Sequence, residues 1–249
     1  MTKSKSVLIQ KTDALKGLKK LNDDSIDLIL TDPPYNLGLF MKKRDTNLSA
    51  LRNNHFSGKD WDNLDFDDWK ENMDELFFQF NRVLKKGGNL IVFMAIIKIE
   101  TIISIAEKHN FYYKTTGIWH KKNPMPRNMN LHFINSNECW LYFVNLNKTG
   151  TFNNNGHAIH DFYESGLTPK SEKEFGGHPT QKPLEMMDHL ISILSNEDDV
   201  VLDPFMGSGS TGVSAQRLNR NFIGFEINSE YLKIAKNRLK PSNQCQLEL

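Results

Sequence analysis

Ile26-Asp27-Leu28-Ile29-Leu30-Thr31-Asp32-Pro33-Pro34-Tyr35 is an apolar run that stops on an aspartate and two prolines. A run of β-branched and leucine residues with such a boundary reads as a buried strand ending in a turn. Successive prolines fix φ and remove two N–H donors, which leaves nearby carbonyls free to accept hydrogen bonds. A carboxylate, carbonyl acceptors and an aromatic face are thereby held at the carboxyl end of a strand. That combination suits an exocyclic amine on a flat base, a poor nucleophile because its lone pair is delocalised into the ring. Acceptors on both N–H bonds draw the nitrogen toward a tetrahedral form and stabilise the positive charge that develops during attack. Tyr35 can hold the base by stacking. The bland alternative is a proline-rich turn with an N-capping aspartate, and the rest of the chain weighs against it.

Far along the chain, Val200-Val201-Leu202-Asp203-Pro204-Phe205 is again a strand ending in Asp-Pro. It leads into Met206-Gly207-Ser208-Gly209-Ser210-Thr211-Gly212 and a helical stretch through Leu218. The three glycines satisfy G-x-G-x-x-G in a strand–turn–helix setting, where backbone can approach a ligand closely. The helix amino end favours a carboxylate or phosphate. A further strand, Asn221 to Phe225, ends in Glu226. An acidic residue about 20 positions after such a loop is the expected partner of ribose hydroxyls. This spacing does not separate a nicotinamide cofactor from S-adenosylmethionine. No Gly-Lys-Ser/Thr follows, so the loop is not a Walker A motif.

Together the two motifs resemble the amino-methyltransferases that methylate nitrogen on DNA bases. In that family D-P-P-Y is catalytic and D-P-F-x-G-S-G-[ST]-T is part of the cofactor site. His178-Pro179-Thr180-Gln181-Lys182-Pro183 resembles the family's H-P-[TS]-Q-K-P segment, and Asp13-Ala14 stands where the family contacts the cofactor's adenine. The catalytic motif comes first here and the cofactor loop last, as in the circularly permuted β class. The resemblance spans nearly the whole chain, with three motifs in order. It implies S-adenosylmethionine as cofactor and Asp32, Pro33, Pro34 and Tyr35 as catalytic residues. The implied cofactor contacts are Asp13, Ala14, Asp32, His178, Thr180, Lys182, Asp203, Phe205, Gly207, Ser208, Gly209, Ser210, Thr211 and Glu226, with Lys182 on the methionine carboxylate. Adenine N6 is the implied target because family members with Asp before Pro-Pro-Tyr mostly act there; cytosine N4 is the alternative. The resemblance also raises a homodimer, and a partner endonuclease acting on the same DNA site in a restriction-modification setting.

A chain of 249 residues can bury a sizeable core as a single domain. No apolar run reaches the roughly 18 residues of a membrane span, and Met1 to Lys5 lead straight into a strand, so a cytoplasmic protein is expected. Cys139, within an apolar strand, and Cys245 have neither metal-ligand nor disulfide-framework spacing. His157 and His160 lack partners spaced to complete a metal site, and none is expected. The net charge of +1 leaves DNA binding open, since basic residues can gather on one face.

Strands are expected near Val7–Gln10, Ile26–Thr31, Asn89–Met94, Thr115–Trp119, Glu138–Val144, Val200–Leu202 and Phe222–Phe225. Helices are expected at Leu184–Leu194, Tyr231–Leu239 and around Trp69, Met73, Leu76, Phe77, Phe80, Val83 and Leu84, with Gly87 as a stop. The alternation gives an α/β fold, doubly wound on a mostly parallel, seven-stranded, Rossmann-like sheet, in which ligands bind beyond the carboxyl ends of strands. Residues 37–65 are too long and polar for a plain connection and are read as a lid. Residues 146–177, rich in asparagine, occupy the place of the family's target-recognition insert; a solvated insert without base contacts is the plainer reading. Lys42, Lys43, Arg44, Lys121, Lys122 and Arg127 are candidate DNA contacts, set against ordinary charged surface turns. A nicotinamide dehydrogenase would leave Asp32 to Tyr35 unexplained, and a non-catalytic DNA-binding subunit would not need both motifs intact. An RNA- or glutamine-directed enzyme is disfavoured by the motif order.

Overall fold

The structure, a computed structural model, describes residues 5–37, 64–125, 130 and 133–239. In chain order the elements are β1 (Val7–Lys11), α1 (Ala14–Leu18), β2 (Ile26–Thr31), α2 (Phe66–Val83), β3 (Leu84–Met94), α3 (Ile99–Lys108) and β4 (Phe111–Lys121). There follow β5 (Asn137–Asn145), β6 (Phe162–Ser165), α4 (Leu184–Leu194), β7 (Val200–Asp203), α5 (Ser210–Arg217), β8 (Asn221–Glu226) and α6 (Ser229–Arg238). The strands form one sheet in the order β1-β8-β7-β2-β3-β5-β4-β6. β5 is antiparallel to both its neighbours, while every other pairing is parallel. β2 thus lies in the middle, between β7 and β3.

Alternation along the strands divides the core between two faces. Ile29, Leu90, Val92 and Phe143 pack with Leu18 of α1, the Trp69–Val83 side of α2 and Ile102 of α3. Leu28, Leu30, Ile91 and Phe93 pack on the other side with Met186, Leu190 and Ile191 of α4, Ala215 and Leu232. A sheet covered on both faces explains why β2 reads as a continuous apolar run.

The sheet has eight strands where seven were expected. The additional one, β6, lies inside the stretch read as a recognition insert and pairs in parallel with the edge of β4. Its four residues, Phe162-Tyr163-Glu164-Ser165, are mostly exposed and carry no apolar run to announce them. Gly87 does not stop α2, because the helix ends at Val83 and Leu84 is already extended. Gly87 lies inside β3 with φ +80°. α3 went unread because its apolar positions directly follow those of β3.

Phe77 is fully buried, with ring centroids 5.6 Å from Phe80, 5.8 Å from Phe111 and 6.2 Å from Phe143. It joins α2 to β4 and β5, so Phe77→Ala is expected to cost about 3–5 kcal/mol of unfolding free energy. A urea titration checks this, and a loss below about 1 kcal/mol contradicts it.

Candidate active site

β2 and β7 are adjacent and parallel, with Leu28 opposite Val201 and Ile29 opposite Leu202, so their carboxyl ends emerge side by side. The last residue of each strand ties the two ends together. Thr31 Oγ1 donates to Asp203 Oδ1 at 3.0 Å, and the same oxygen accepts from the Phe205 amide at 3.1 Å. Asp203 Oδ2 accepts from Thr211 Oγ1 at 2.7 Å. Burial pushes the Asp203 carboxyl up to about 7 against the pull of these donors. Asp203 therefore fastens the glycine turn to the sheet.

The turn passes through left-handed backbone at Gly207, φ +53°, and Gly209, φ +80°. Glycine adopts these values without the Cβ clash that other residues meet. The Gly207 amide donates to Glu226 Oε2 at 3.0 Å and the Asn228 amide to Oε1 at 2.7 Å. Glu226 is thus aimed by two backbone donors at the end of β8, with burial raising its pKa. Ser208 and Ser210 are buried and hydrogen-bonded to Arg238 of α6 at 3.1 and 3.2 Å. The side chains of Asp203, Ser208, Ser210 and Thr211 thus hold the turn in shape. Phe205 packs against the core. Asp13 caps α1 through the Lys16 amide at 3.1 Å, and Ala14 opens that helix. Both follow β1, whose Lys11 pairs with Glu226, so they lie at the same end of the sheet.

Beside this turn, Tyr35 donates its hydroxyl to Asp32 Oδ1 at 2.5 Å, and Lys182 pairs with Asp32 Oδ2. Pro34 presents its carbonyl to the indole N–H of Trp69 at 3.1 Å, so one of the carbonyls expected to receive the amine already has a donor. Tyr35 packs against both halves of the core, and burial together with Asp32 holds its phenol well above the usual range.

The segment His178 to Lys182 bridges the two motifs. A Cβ on Gly207 would lie 3.4 Å from the His178 ring, and Gln181 Oε1 accepts from Ser208 Oγ at 3.1 Å. Burial lowers His178 to about 4, so the ring is neutral at pH 7. Its Nδ1 accepts from the Thr180 amide at 3.3 Å, while Thr180 is exposed.

Lys182 was expected on the cofactor's methionine carboxylate, but its ammonium lies between Asp32 and Glu138, 3.2 Å from Glu138 Oε2 and 4.8 Å from the Phe93 ring centre. Burial opposes its charge, yet the two carboxylates hold its pKa above the normal value. Glu138 also pairs with Lys121. Lys121, expected as a phosphate contact, is thereby paired within the site and only partly exposed. Lys122 pairs with Glu164 at 3.3 Å and keeps an exposed side chain. Lys42, Lys43, Arg44 and Arg127, and nearly all of the expected lid at 37–65, lie outside the described residues. In the expected recognition insert, Asn153 donates to the carbonyls of Ser192 and Ser195 at 3.1 and 2.9 Å, holding the end of α4.

Glu138, Trp69, Gln181 and Arg238 were missed as site residues. Glu138 had a faint signal as the charge that opens an apolar strand; the others serve the site through contacts that only the fold creates. Among the described residues, no three His, Cys, Asp or Glu side chains cluster as a metal ion would require.

A family model described as DNA methylase matches residues 26–237. The type II methyltransferase M2.LlaDCHI of Lactococcus lactis subsp. cremoris is 34% identical over 248 residues, covering 95% of this chain and 90% of that protein. The DNA adenine methyltransferase YhdJ of Escherichia coli (strain K12) is 31% identical, covering 95% and 83%. Among solved structures, that of the M1.HpyAVI–SAM complex superimposes with a TM-score of 0.72 at 29% identity, covering 94% of this chain and 99% of that one. The chain belongs to the DNA methylase family.

Asp203 gives this geometry a pH signature. Its folded-state pKa of about 7 lies above that of an exposed carboxyl, so the folded protein keeps a proton that the unfolded chain has lost. The stability this contributes is complete below about pH 4 and is lost as pH rises toward 7. Relative to Asp203→Asn, the native chain is expected to lose about 2–4 kcal/mol of unfolding free energy across that window and to change little above it. Denaturant titrations at several pH values check this, and a pH-independent difference contradicts it.

Proposed function

We propose that the protein is a DNA methyltransferase that moves a methyl group from S-adenosylmethionine to the exocyclic N6 of a flipped adenine. The observation that carries this reading is the junction of Asp32 with the glycine turn through Thr31–Asp203 and through Lys182. The residues fit the cofactor: Glu226 is held at the end of β8 as an acceptor for ribose hydroxyls, with Asp13 and Ala14 beside it. The residues of the glycine turn, 203–211, with His178 and Thr180, would surround the methionine end. When bound, S-adenosylmethionine would supply a methyl already activated on a sulfonium, whose sulfur keeps the C–S electron pair and leaves as a neutral thioether, so positioning and charge stabilisation are the protein's share.

Asp32 accepts one hydrogen of the amine and orients its lone pair; the Pro33 carbonyl is the acceptor for the other, with Pro34 already engaged by Trp69. The neutral amine is too weak an acid for Asp32 to deprotonate. Once nitrogen has gained its fourth bond and a positive charge, an N–H bond breaks, its electron pair stays on nitrogen and the proton passes to Asp32. Tyr35 steadies Asp32 through its hydroxyl and offers its ring to the base. A duplex hides the amine in the stack, so the base must rotate out.

Adenine is favoured over cytosine by Asp32 before Pro-Pro-Tyr and by the relative named as a DNA adenine methyltransferase. The order of the motifs, β2 before β7 although the strands are neighbours, supports a circularly permuted chain. Residues 37–65 would serve as lid and 146–177 would contribute to target recognition, with Lys42, Lys43, Arg44, Lys122 and Arg127 on phosphates. A cytoplasmic homodimer working with an endonuclease of the same specificity completes the proposal, a setting supported by a relative named as a type II methyltransferase.

With labelled S-adenosylmethionine and unmethylated bacterial DNA, nucleoside digestion is expected to return the label on N6-methyladenine. Label on cytosine overturns the choice of base, and no transfer overturns the activity. Asp32→Ala is expected to abolish transfer while cofactor still binds; near-normal turnover would remove Asp32 from the chemistry. Glu226→Ala is expected to weaken cofactor binding by about 1–3 kcal/mol, as for loss of a charged hydrogen-bond partner, and calorimetry showing unchanged affinity contradicts that role.

A further inference from the structure

Glu138, at the second position of β5, belongs to none of the motifs that mark the site, yet its carboxylate bridges two lysines, the buried Lys182 and the partly exposed Lys121. Lys121 reaches it from β4, and Lys182 reaches it from the segment before α4 while also pairing with Asp32. We propose that Glu138 is a positioning residue for methyl transfer: it supplies the lasting counter-charge to Lys182, so that Asp32 can take up the amine's proton.

The inference rests on the activity proposed above and follows from a count of charge. Four groups act on Asp32 directly: Tyr35 from its own loop, Lys182 and His178 from the bridging segment, and Asp203 from β7; Glu138 and Cys139 of β5 act on Tyr35, and Glu138 also pairs with Lys182. Lys121 stands behind Glu138. Tyr35 and Cys139 keep their protons at pH 7, the thiol being pushed up to about 11, and His178 is neutral. The chain Lys121⁺, Glu138⁻, Lys182⁺, Asp32⁻ sums to zero, with Asp203, raised to about 7 by burial, standing outside it and partly protonated at pH 7. Lys182 is almost wholly buried, at 6% exposure. When the N–H bond of the methylated amine breaks and its proton bonds to Asp32, one of the two negative charges on Lys182 disappears. A buried ammonium left without a partner is strongly unfavourable, so proton uptake by Asp32 would be resisted. Glu138 removes that resistance. It also shares the ammonium with Asp32, so Lys182 does not act on that carboxylate alone.

Glu138→Gln retains shape and hydrogen bonding but removes the charge. The test compares it with the unaltered protein in single-turnover transfer from labelled S-adenosylmethionine to unmethylated bacterial DNA across pH, with calorimetric cofactor affinity and a thermal midpoint. Cofactor affinity is expected to stay within about 2-fold, and transfer at pH 7 to fall about 10–100-fold. The acid limb of the pH–rate profile should move to lower pH, because Lys182 then acts on Asp32 alone. Glu138→Asp should restore much of the rate and return the limb toward its original position; if the glutamine variant does not fold, this variant is read against the unaltered protein and should retain the limb. A variant with unaltered rate and limb overturns the proposal, as does a lower rate with an unmoved acid limb. Absence of transfer by the unaltered protein would instead overturn the activity itself.

Discussion

The buried ammonium of Lys182 constrains the whole site, because it touches the Asp32 carboxylate while its chain neighbour Gln181 holds Ser208 of the glycine turn. Asp32 and the turn belong to strands far apart in sequence, and β2 and β7 bring them level. The bridging segment then fixes how they face each other. Desolvating such charges offsets most of their mutual attraction, so the pair contributes orientation more than net stability. Removing one partner is costly, and this makes the arrangement specific.

The same economy recurs in the acids of the cofactor side. Asp203 is buried and raised toward neutrality, and its oxygens are taken up by two threonine hydroxyls and a backbone amide. Glu226 is aimed by the amides of Gly207 and Asn228. With the side chains of the turn engaged in holding it, backbone groups and the remaining acceptor capacity of Glu226 are what face a ligand. A turn preorganised in this way needs little rearrangement when the cofactor arrives.

Much of this was legible because the relevant signals are local. The apolar run of β2, the left-handed glycines after β7 and the acid closing β8 each act through neighbours in sequence. β6 escaped notice because its four edge residues, of which only Ser165 is buried, carry neither apolar alternation nor a strong turn. The ion pairs of Lys121 and Lys182 were not legible for a different reason: a lysine's partner depends on which strand lies next to it. Here β5 runs antiparallel between β3 and β4, placing Glu138 opposite Trp119 and close to both ammonium groups. Within the asparagine-rich stretch 146–177, composition did not announce that Asn153 clasps the end of α4.

In the proposed function, donor and target amine meet above Asp32, between the ends of β2 and β7. The most direct measurement of that meeting is a structure of the chain bound to a non-transferring analogue of S-adenosylmethionine and to duplex DNA containing its target site. The account predicts an everted adenine whose N6 lies within hydrogen-bond reach of Asp32 and about 3–3.5 Å from the position of the transferable carbon. A donor bound away from the glycine turn, or a base that remains stacked while the donor is seated, would contradict it.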